Sequence, residues 1–484
     1  MSTDIFLSKP EKERLRKWQY SVEDKSITTV LFNPFWNWLV KFVPNSVAPN
    51  ILSLAGLISV LYAYHISHNY LNYYPKLVSI TSVLLVFLYM NLDAIDGKHA
   101  RNIKNSSPLG ELFDHSCDNI GLVFMILIFC NITGIDDSYL QWYIVQTAQL
   151  VFLYSHIRAF RDKIVKFGRF TGPGECLVAY MGYMVFHAFG IMNLLYVSFD
   201  FIAYYLCGGR TKEQCATIIL PCLYYIVFGI VFLKIMKLKD HYSTRNGLLI
   251  SLLSQLIPSM LLYVGIGSNE VDTYTVISHG LIMAVLTGDI IVSKMAGREL
   301  HALVPILMIL SLFDNFLCIT GCIIYYVGIF TELSFSMRIP LFNVTRNVYC
   351  NGVFDMCHAG HMNLFEQAAK NGTRLIVGVH NDEDVESYKR TPVMKAAERY
   401  AVVAKCKFVD EIVQNAPLSV YQDFIDEHNI HVVMCSEEYD KPDDEYYRVP
   451  RELGILKVLP RTDGISTTDL MTRVKERDDS KIEK

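Results

Sequence analysis

The sequence predicts a polytopic α-helical membrane domain followed by a soluble α/β domain with a parallel, Rossmann-like sheet. The chain of 484 residues is 52% hydrophobic, with a mean hydropathy of +0.26, which is too apolar for an average soluble protein. The excess lies mostly between residues 48 and 335. There it forms a train of apolar segments near 50–67, 76–95, 112–133, 140–158, 175–197, 216–236, 246–266, 272–293, 302–317 and 318–333. Most can cross about 30 Å of hydrocarbon, so about ten transmembrane helices are expected, or nine if the last two form one kinked helix. From about residue 345 short apolar runs alternate with helical patterns, as in strands interleaved with helices around a parallel sheet.

In chain order, residues 1–47 read as an N-terminal interfacial segment. They are charged at first and then aromatic, with Phe35, Trp36, Trp38 and Phe42 beside Lys41, which suits a helix in the headgroup layer. The first forty residues have no cleavable-signal pattern, so targeting is expected to fall to the first transmembrane helix. The membrane domain occupies 48–335, the soluble domain 345–477 and a polar tail 478–484. Arg158, Arg161, Lys163, Lys166 and Arg169 mark one connection, Lys234, Lys237, Lys239 and Arg245 another, and Lys294 and Arg298 a third. The alternate connections near 68–74 and 131–138 have no Lys or Arg. The positive-inside rule then places the N-terminus, the 96–112 turn and the 158–169 loop in the cytosol. A net charge of −4 gives no reason to expect a nucleic-acid partner. The twelve cysteines include no CxxC pair and read as buried thiols. Cys207 and Cys215 flank a polar loop and suit a bridge only if that loop is extracytosolic.

The densest chemistry lies between Asp93 and Asp118. Asp93 and Asp96 are three apart, Asp114 and Asp118 four apart, so on helices each pair shares a face. A hairpin of two such faces makes a cage of four carboxylates, which demands cations. Hard oxygen ligands suit Mg²⁺ or Mn²⁺. Gly97 and Ala100 permit close helix approach, Gly110 permits a tight helix start, and Arg101 suits a phosphate. For a base that accepts a hydroxyl proton, the candidates are His115 and Asp118. His115 is preferred because a metal-bound Asp118 is less basic, and Glu111, four residues earlier, lies on the same face to orient the imidazole.

The spacing D-x2-D-G-x2-A-R-x8-G-x3-D-x3-D matches the signature of the CDP-alcohol phosphotransferase family. F-N-P-F-W-N-W-L-V-K, A-P-N, S-S-P-L-G-E-L-F-D-H-x-C-D and G-P-G-E at 172–175 resemble its eukaryotic choline/ethanolamine phosphotransferase branch. The resemblance spans about residues 10–335. It implies the family's helical membrane fold, two Mg²⁺ (or Mn²⁺) ions held by the four aspartates, and transfer of a phosphoalcohol from a CDP-alcohol to diacylglycerol. It also implies that Asn50 and Arg101 hold the CDP moiety, with Gly97 and Glu175 as further substrate contacts. A homodimer in the endoplasmic reticulum or Golgi membrane is expected from the same branch.

In the soluble region, His358-Ala359-Gly360-His361 follows a strand-like run ending at Gly352 and opens a helix. Histidines beside a helix N-terminus can donate to phosphates. Lys389 and the run Arg461-Thr462-Asp463-Gly464-Ile465-Ser466-Thr467-Thr468 supply cations and hydroxyls for a triphosphate. H-x-G-H with R-T-x-G-I-S-T-T resembles the cytidylyltransferase family over roughly 345–475. That implies a nucleotidyltransferase fold that joins CTP, with Mg²⁺, to a phosphoalcohol. His358, His361 and Lys389 would then be catalytic, and Gly352, Phe354, Arg461, Thr462, Gly464, Ile465, Ser466 and Thr467 would bind substrate. Choline-phosphate members carry a Trp after N-A-P, where this chain has Leu418, and Cys435-Ser436-Glu437-Glu438 replaces another of their segments. Loss of an aromatic weakens recognition of a quaternary ammonium, so phosphoethanolamine is favoured over phosphocholine.

Together these resemblances imply a bifunctional phospholipid synthase with both sites cytosolic. One alternative is a membrane phosphotransferase whose soluble domain only senses CTP or CDP-alcohol. Another is a transporter or scaffold.

Overall fold

The computed structural model describes residues 5–18, 21–169, 172–191, 212–264, 271–441 and 443–482. The expected end of the segment at 175–197 and Cys207 lie outside these residues. The chain divides into two compact units, residues 1–337 with 341–343, and residues 338–340 with 344–484.

In the first unit, helices Pro49–Tyr70, Pro75–Asn102 and Pro108–Thr133 each carry a proline in the first turn, where its missing N–H costs nothing. They pack on one another. Six helices among the described residues are long and apolar enough to cross a membrane: these three, Cys215–Ile235, Thr273–Ala296 and Asn315–Met337. Two of the other expected spans fall short for visible reasons. Ser138–Asp162 is long but buries Gln141, Gln146, Gln149 and His156. Leu303–Leu310 has only 8 residues, so the last two expected segments divide into a short helix and a full one. Thr273–Ala296 is central. Nearly every residue from Ser278 to Ala296 is buried, against helices 138–162, 108–133 and 315–337.

The N-terminal segment is more than an interfacial helix. Helix Lys9–Arg16 packs on Thr273–Ala296 and Asn315–Met337. The backbone N–H groups of Phe6 and Leu7 donate to Glu332, which also pairs with Lys12 at 2.9 Å. Strand β1 (Val22–Asp24) pairs in parallel with β2 (Val165–Phe167). In helix Ile27–Leu39, Trp38 and Phe35 are exposed, as expected of an interfacial face. Trp36 departs from that expectation. It is buried and donates through Nε1 to Asn91 Oδ1 at 3.0 Å, so this ring anchors the helix to the one bearing Asp93 and Asp96.

The second unit is a five-stranded parallel sheet built from β3 (Asn347–Gly352), β4 (Arg374–Val379), β5 (Glu411–Gln414), β6 (Ile430–Ser436) and β7 (Leu456–Leu459), in the order β5-β4-β3-β6-β7. Helices Ala359–Ala369, Asp382–Tyr388, Ala396–Val403 and Gln422–Glu427 fall between the strands. Burial on both faces accounts for the unbroken apolar runs of the central strands. Val348, Cys350, Leu375, Val377 and Met434 meet Phe365 and Val403 on one side. Tyr349, Ile376, Val433 and Cys435 meet Phe424 and Ile425 on the other. Strand order reverses between β3 and β6, and ligands of open α/β sheets bind at such a switch point, beyond the carboxyl ends of the strands. The final helix, Thr467–Ile482, continues past residue 477, where a polar tail is expected.

Candidate active sites in the two units

The membrane-unit candidate is the hairpin of helices 75–102 and 108–133. The expected 96–112 turn is much shorter, because helical structure persists through Asn102 and resumes at Pro108. Ser107 caps the second helix by accepting from Gly110 N at 3.1 Å. All four aspartates therefore sit within helices. Ligand atoms of Asp93, Asp96 and Asp114 lie within 4.8 Å of one another, and so do those of Asp114, His115 and Asp118. Asp96 Oδ2 accepts from Ser53 Oγ at 2.5 Å, and Asp118 Oδ1 from Tyr89 OH at 2.7 Å. His115 Nδ1 lies 3.8 Å from Asp118 Oδ2, and its ring meets that of His156 edge-on, 5.3 Å between centroids.

These residues fit a divalent cation. Asp114 Oδ1 is buried without a hydrogen-bond partner. Among the described residues no Lys or Arg forms an ion pair with any of the four aspartates. Carboxylates gathered this closely suit a hard metal ion.

The expected substrate residues are placed unevenly. Asn50, at the start of helix 49–70, lies against the second hairpin helix, since a Cβ on Gly110 would sit 3.5 Å from its Oδ1. Its Nδ2 donates to Leu341 O at 2.8 Å. The Arg101 guanidinium is exposed and folds back beside Gly97. Glu175 makes a structural contact. Its Oε1 accepts from Thr28 N at 2.8 Å and so ties down the first turn of helix 27–39. The reading of Glu111 also changes. Its Oε1 accepts from Lys294 Nζ and its Oε2 from Trp18 Nε1, each at 2.7 Å, while Asp118 is the carboxylate beside His115 Nδ1. Lys294 and Arg298 do not act as loop charges. Lys294 is buried on Glu111 and Arg298 on Asp289, so neither bears on membrane orientation.

Sequence reasoning missed Ser53, Tyr89, His156, Trp18 and Lys294. Tyr89 had a signal, being one helical turn before Asp93. Lys294, a charge near the end of a long apolar helix, had another.

The second candidate is a cavity of about 550 Å³ at the carboxyl ends of β3, β6 and β7. Gly352, Phe354, His358, His361, Lys389, Arg461, Thr462, Ile465, Ser466 and Thr467 all line it. Phe354 has φ +54 and packs edge-on against His361. Gly464, with φ +77, turns the chain between Arg461 and the helix that Ser466 opens by accepting from Asp469 N at 3.1 Å. His358 Nδ1 accepts from Gly360 N at 3.2 Å, and His361 Nδ1 from His358 N at 3.4 Å. The rings stack with centroids 4.0 Å apart. Since each Nδ1 accepts a main-chain N–H, the proton of each neutral ring is assigned to Nε2. Burial, then the neighbouring His358, push His361 down to about 4. Burial also lowers His358, against the opposing pull of Asp469. Two neutral Nε2–H donors at a helix N-terminus suit an anion.

Sequence reasoning missed the residues that hold this cavity open. Asp355 accepts from Val393 N at 3.0 Å and Met394 N at 2.9 Å, fixing the loop that carries Lys389. The fully buried Arg399 joins Val353 O to Asp382 at 2.7 Å each. Tyr388, Tyr439, Tyr446 and Tyr447 also line the cavity.

Comparisons with known proteins agree with this division. Residues 46–201 match the family model "CDP-alcohol phosphatidyltransferase", and residues 349–473 the model "Cytidylyltransferase-like". The chain is 27% identical over 330 residues to "Cholinephosphotransferase 1" of Danio rerio, which covers 61% of this chain and 79% of that protein. It is 36% identical over 129 residues to "Ethanolamine-phosphate cytidylyltransferase" of Dictyostelium discoideum, and 41% over 132 residues to "Choline-phosphate cytidylyltransferase A" of Rattus norvegicus. Each of the latter matches covers 26% of this chain and 36% of the relative, so the chain spans about a third of those relatives' length. Two family models thus match in series, the CDP-alcohol phosphatidyltransferase model over the segment that holds the aspartate hairpin and the cytidylyltransferase-like model over the segment that holds the paired histidines.

Proposed function

We propose that the chain is a bifunctional phospholipid synthase. Its soluble unit would make CDP-ethanolamine, or CDP-choline, from CTP and the phosphoalcohol. Its membrane unit would transfer the phosphoalcohol to diacylglycerol, releasing CMP. The observation that carries this reading is the presence, in one chain, of an aspartate hairpin that pairs with no Lys or Arg among the described residues and a cavity lined by His358, His361, Lys389 and Arg461.

In the soluble unit a phosphoalcohol oxygen attacks the α-phosphorus of CTP and pyrophosphate leaves. His358 and His361 donate through Nε2 to oxygens that gain charge, while Lys389 and Arg461 supply fixed positive charge. Positioning and charge suffice, without a covalent enzyme intermediate. In the membrane unit the diacylglycerol hydroxyl attacks the phosphoalcohol phosphorus and the bond to CMP breaks. His115, with Nδ1 3.8 Å from Asp118 Oδ2, takes the hydroxyl proton. Arg101 and Asn50 hold the CDP moiety. Divalent ions bound by Asp93, Asp96, Asp114 and Asp118 would offset the charge of the pyrophosphate. Both sites are read as cytosolic, in an endoplasmic reticulum or Golgi membrane, and the protein as a homodimer. Leu418, in place of an aromatic, and Glu438 both line the soluble cavity and favour a primary ammonium.

Leu418 and Cys435 in that wall also support a second reading, in which the soluble unit senses CTP or CDP-alcohol without turnover. One experiment separates the two. Purified protein receives CTP, Mg²⁺, diacylglycerol and radiolabelled phosphoethanolamine or, in parallel, phosphocholine. Labelled CDP-alcohol and labelled lipid together support the synthase. Lipid formed only when CDP-alcohol is supplied directly supports the sensor, and no lipid under either condition rejects both.

A further inference from the structure

Glu111 stands three residues before Asp114, on the helix that presents Asp114, His115 and Asp118. At that spacing it shares their face, so it is a fifth carboxylate on the metal-type hairpin. Its two oxygens are nevertheless taken by distant parts of the chain. Lys294 Nζ donates to Oε1 and Trp18 Nε1 to Oε2, each at 2.7 Å. Lys294 also lies over the Trp18 ring, 5.3 Å from its centroid. The Lys294 and Glu111 side chains are 2% and 6% exposed, so the pair is sealed from water. Trp18 follows a helix that is itself seated: Leu15 is fully buried, and Arg14 Nε donates to Ala296 O at 2.6 Å.

A buried ion pair adds little net stability, because desolvation offsets its attraction, but it fixes geometry. Removing one partner leaves the other charge without compensation. Here the abandoned charge would be a carboxylate one turn from Asp114, able to compete for any cation that the aspartates bind.

We propose that Lys294 and Trp18 are positioning residues for the phosphotransfer site: they clamp Glu111 away from the aspartate cluster, so that four carboxylates and not five face the metal ions. This rests on the reading of the hairpin as a phosphotransferase centre.

The test uses the full chain in detergent micelles. One readout is phosphotransfer from supplied CDP-ethanolamine or CDP-choline to diacylglycerol. The other is binding of Mn²⁺ followed by electron paramagnetic resonance. Lys294→Met is expected to lower kcat about tenfold or more, with Mn²⁺ bound at least as tightly as by wild type and with an altered spectrum. Lys294→Met/Glu111→Gln is expected to regain kcat to within about threefold of wild type, because an amide is a poorer ligand for a hard cation. Wild-type kcat in Lys294→Met, no recovery in the double variant, or Mn²⁺ binding weakened about tenfold would each overturn the clamp. Should Lys294→Met not yield monodisperse protein, Trp18→Phe carries the same test. A lowered kcat reversed by Glu111→Gln supports the clamp, and an unchanged kcat rejects it. If wild-type protein transfers from neither CDP-alcohol, the phosphotransferase reading fails. The Mn²⁺ spectrum still decides the clamp, since only a freed Glu111 changes it in a way that Glu111→Gln reverses.

Discussion

At the scale of single residues, the two sites use ionisable groups in opposite ways. The hairpin gathers four carboxylates whose ligand atoms are close enough to hold a divalent cation. The soluble cavity keeps its histidines neutral so that each presents an N–H. Asp93→Asn and Asp114→Asn are each expected to lower phosphotransfer about a hundredfold or more and to weaken Mn²⁺ binding. Radiolabel assay and metal titration check this, and undiminished transfer would favour a transporter or scaffold. His115→Ala should remove transfer while leaving metal binding intact, which would distinguish it from Asp118 as the base. His361 carries a pH prediction. Its value is depressed to about 4 in the folded chain, against about 6.5 unfolded. Between these values the unfolded chain binds a proton that the folded chain does not. The His361 contribution to stability is therefore complete above about pH 6.5, declines as pH falls toward about 4, and levels off below. Thermal unfolding of wild type minus that of His361→Asn should show this window, and a flat difference would refute the buried neutral ring.

At the scale of elements, both sites depend on how one segment is tied to the next. Glu332 accepts two backbone N–H groups of the N-terminal segment and pairs with Lys12. Glu332→Ala should therefore loosen residues 5–18, seen as faster hydrogen exchange there, with smaller change in the helices flanking the aspartates. In the soluble sheet, a Cβ on Gly378 of β4 would collide with the Tyr349 hydroxyl of neighbouring β3 and lie 2.8 Å from Ala416 Cβ. Gly378→Ala is expected to destabilise the soluble unit by about 1–3 kcal/mol, read as a lower unfolding temperature and weaker CTP binding. This glycine is required for space, since its neighbours fill the volume that any side chain would need.

At the scale of the whole molecule, two units with separate cores predict separable half-reactions. His358→Ala should abolish CDP-alcohol synthesis and leave transfer from supplied CDP-alcohol intact, and Asp93→Asn should do the reverse. A mixture of the two variants should restore lipid synthesis from CTP by diffusion of the intermediate, and a mixture that stays inactive would mean that both sites must lie in one chain. Much of this architecture was legible in the sequence. Asp93, Asp96, Asp114 and Asp118 were readable because ligand spacing is a local property of a helix, and the apolar central strands because burial on both faces leaves a continuous run. The turn of the hairpin was read as too long, because no apolar signal marks the helical residues between Asp96 and Asn102. The partners of Glu111 were not readable, nor were the burial of Trp36 or the structural use of Glu175. By itself the sequence determined two fold classes in series, the carboxylate hairpin, the H-x-G-H turn and the phosphate-type residues that follow it. Only tertiary structure decided that Lys294 and Trp18 occupy Glu111, that Asp355 and Arg399 brace the nucleotide-type cavity, and that Arg298 is a buried partner and not a loop charge. The physical reason is range. Spacing along a helix or strand is set by neighbours in the chain, whereas a buried charge is satisfied by whichever residue the fold brings to it, here one 183 positions away.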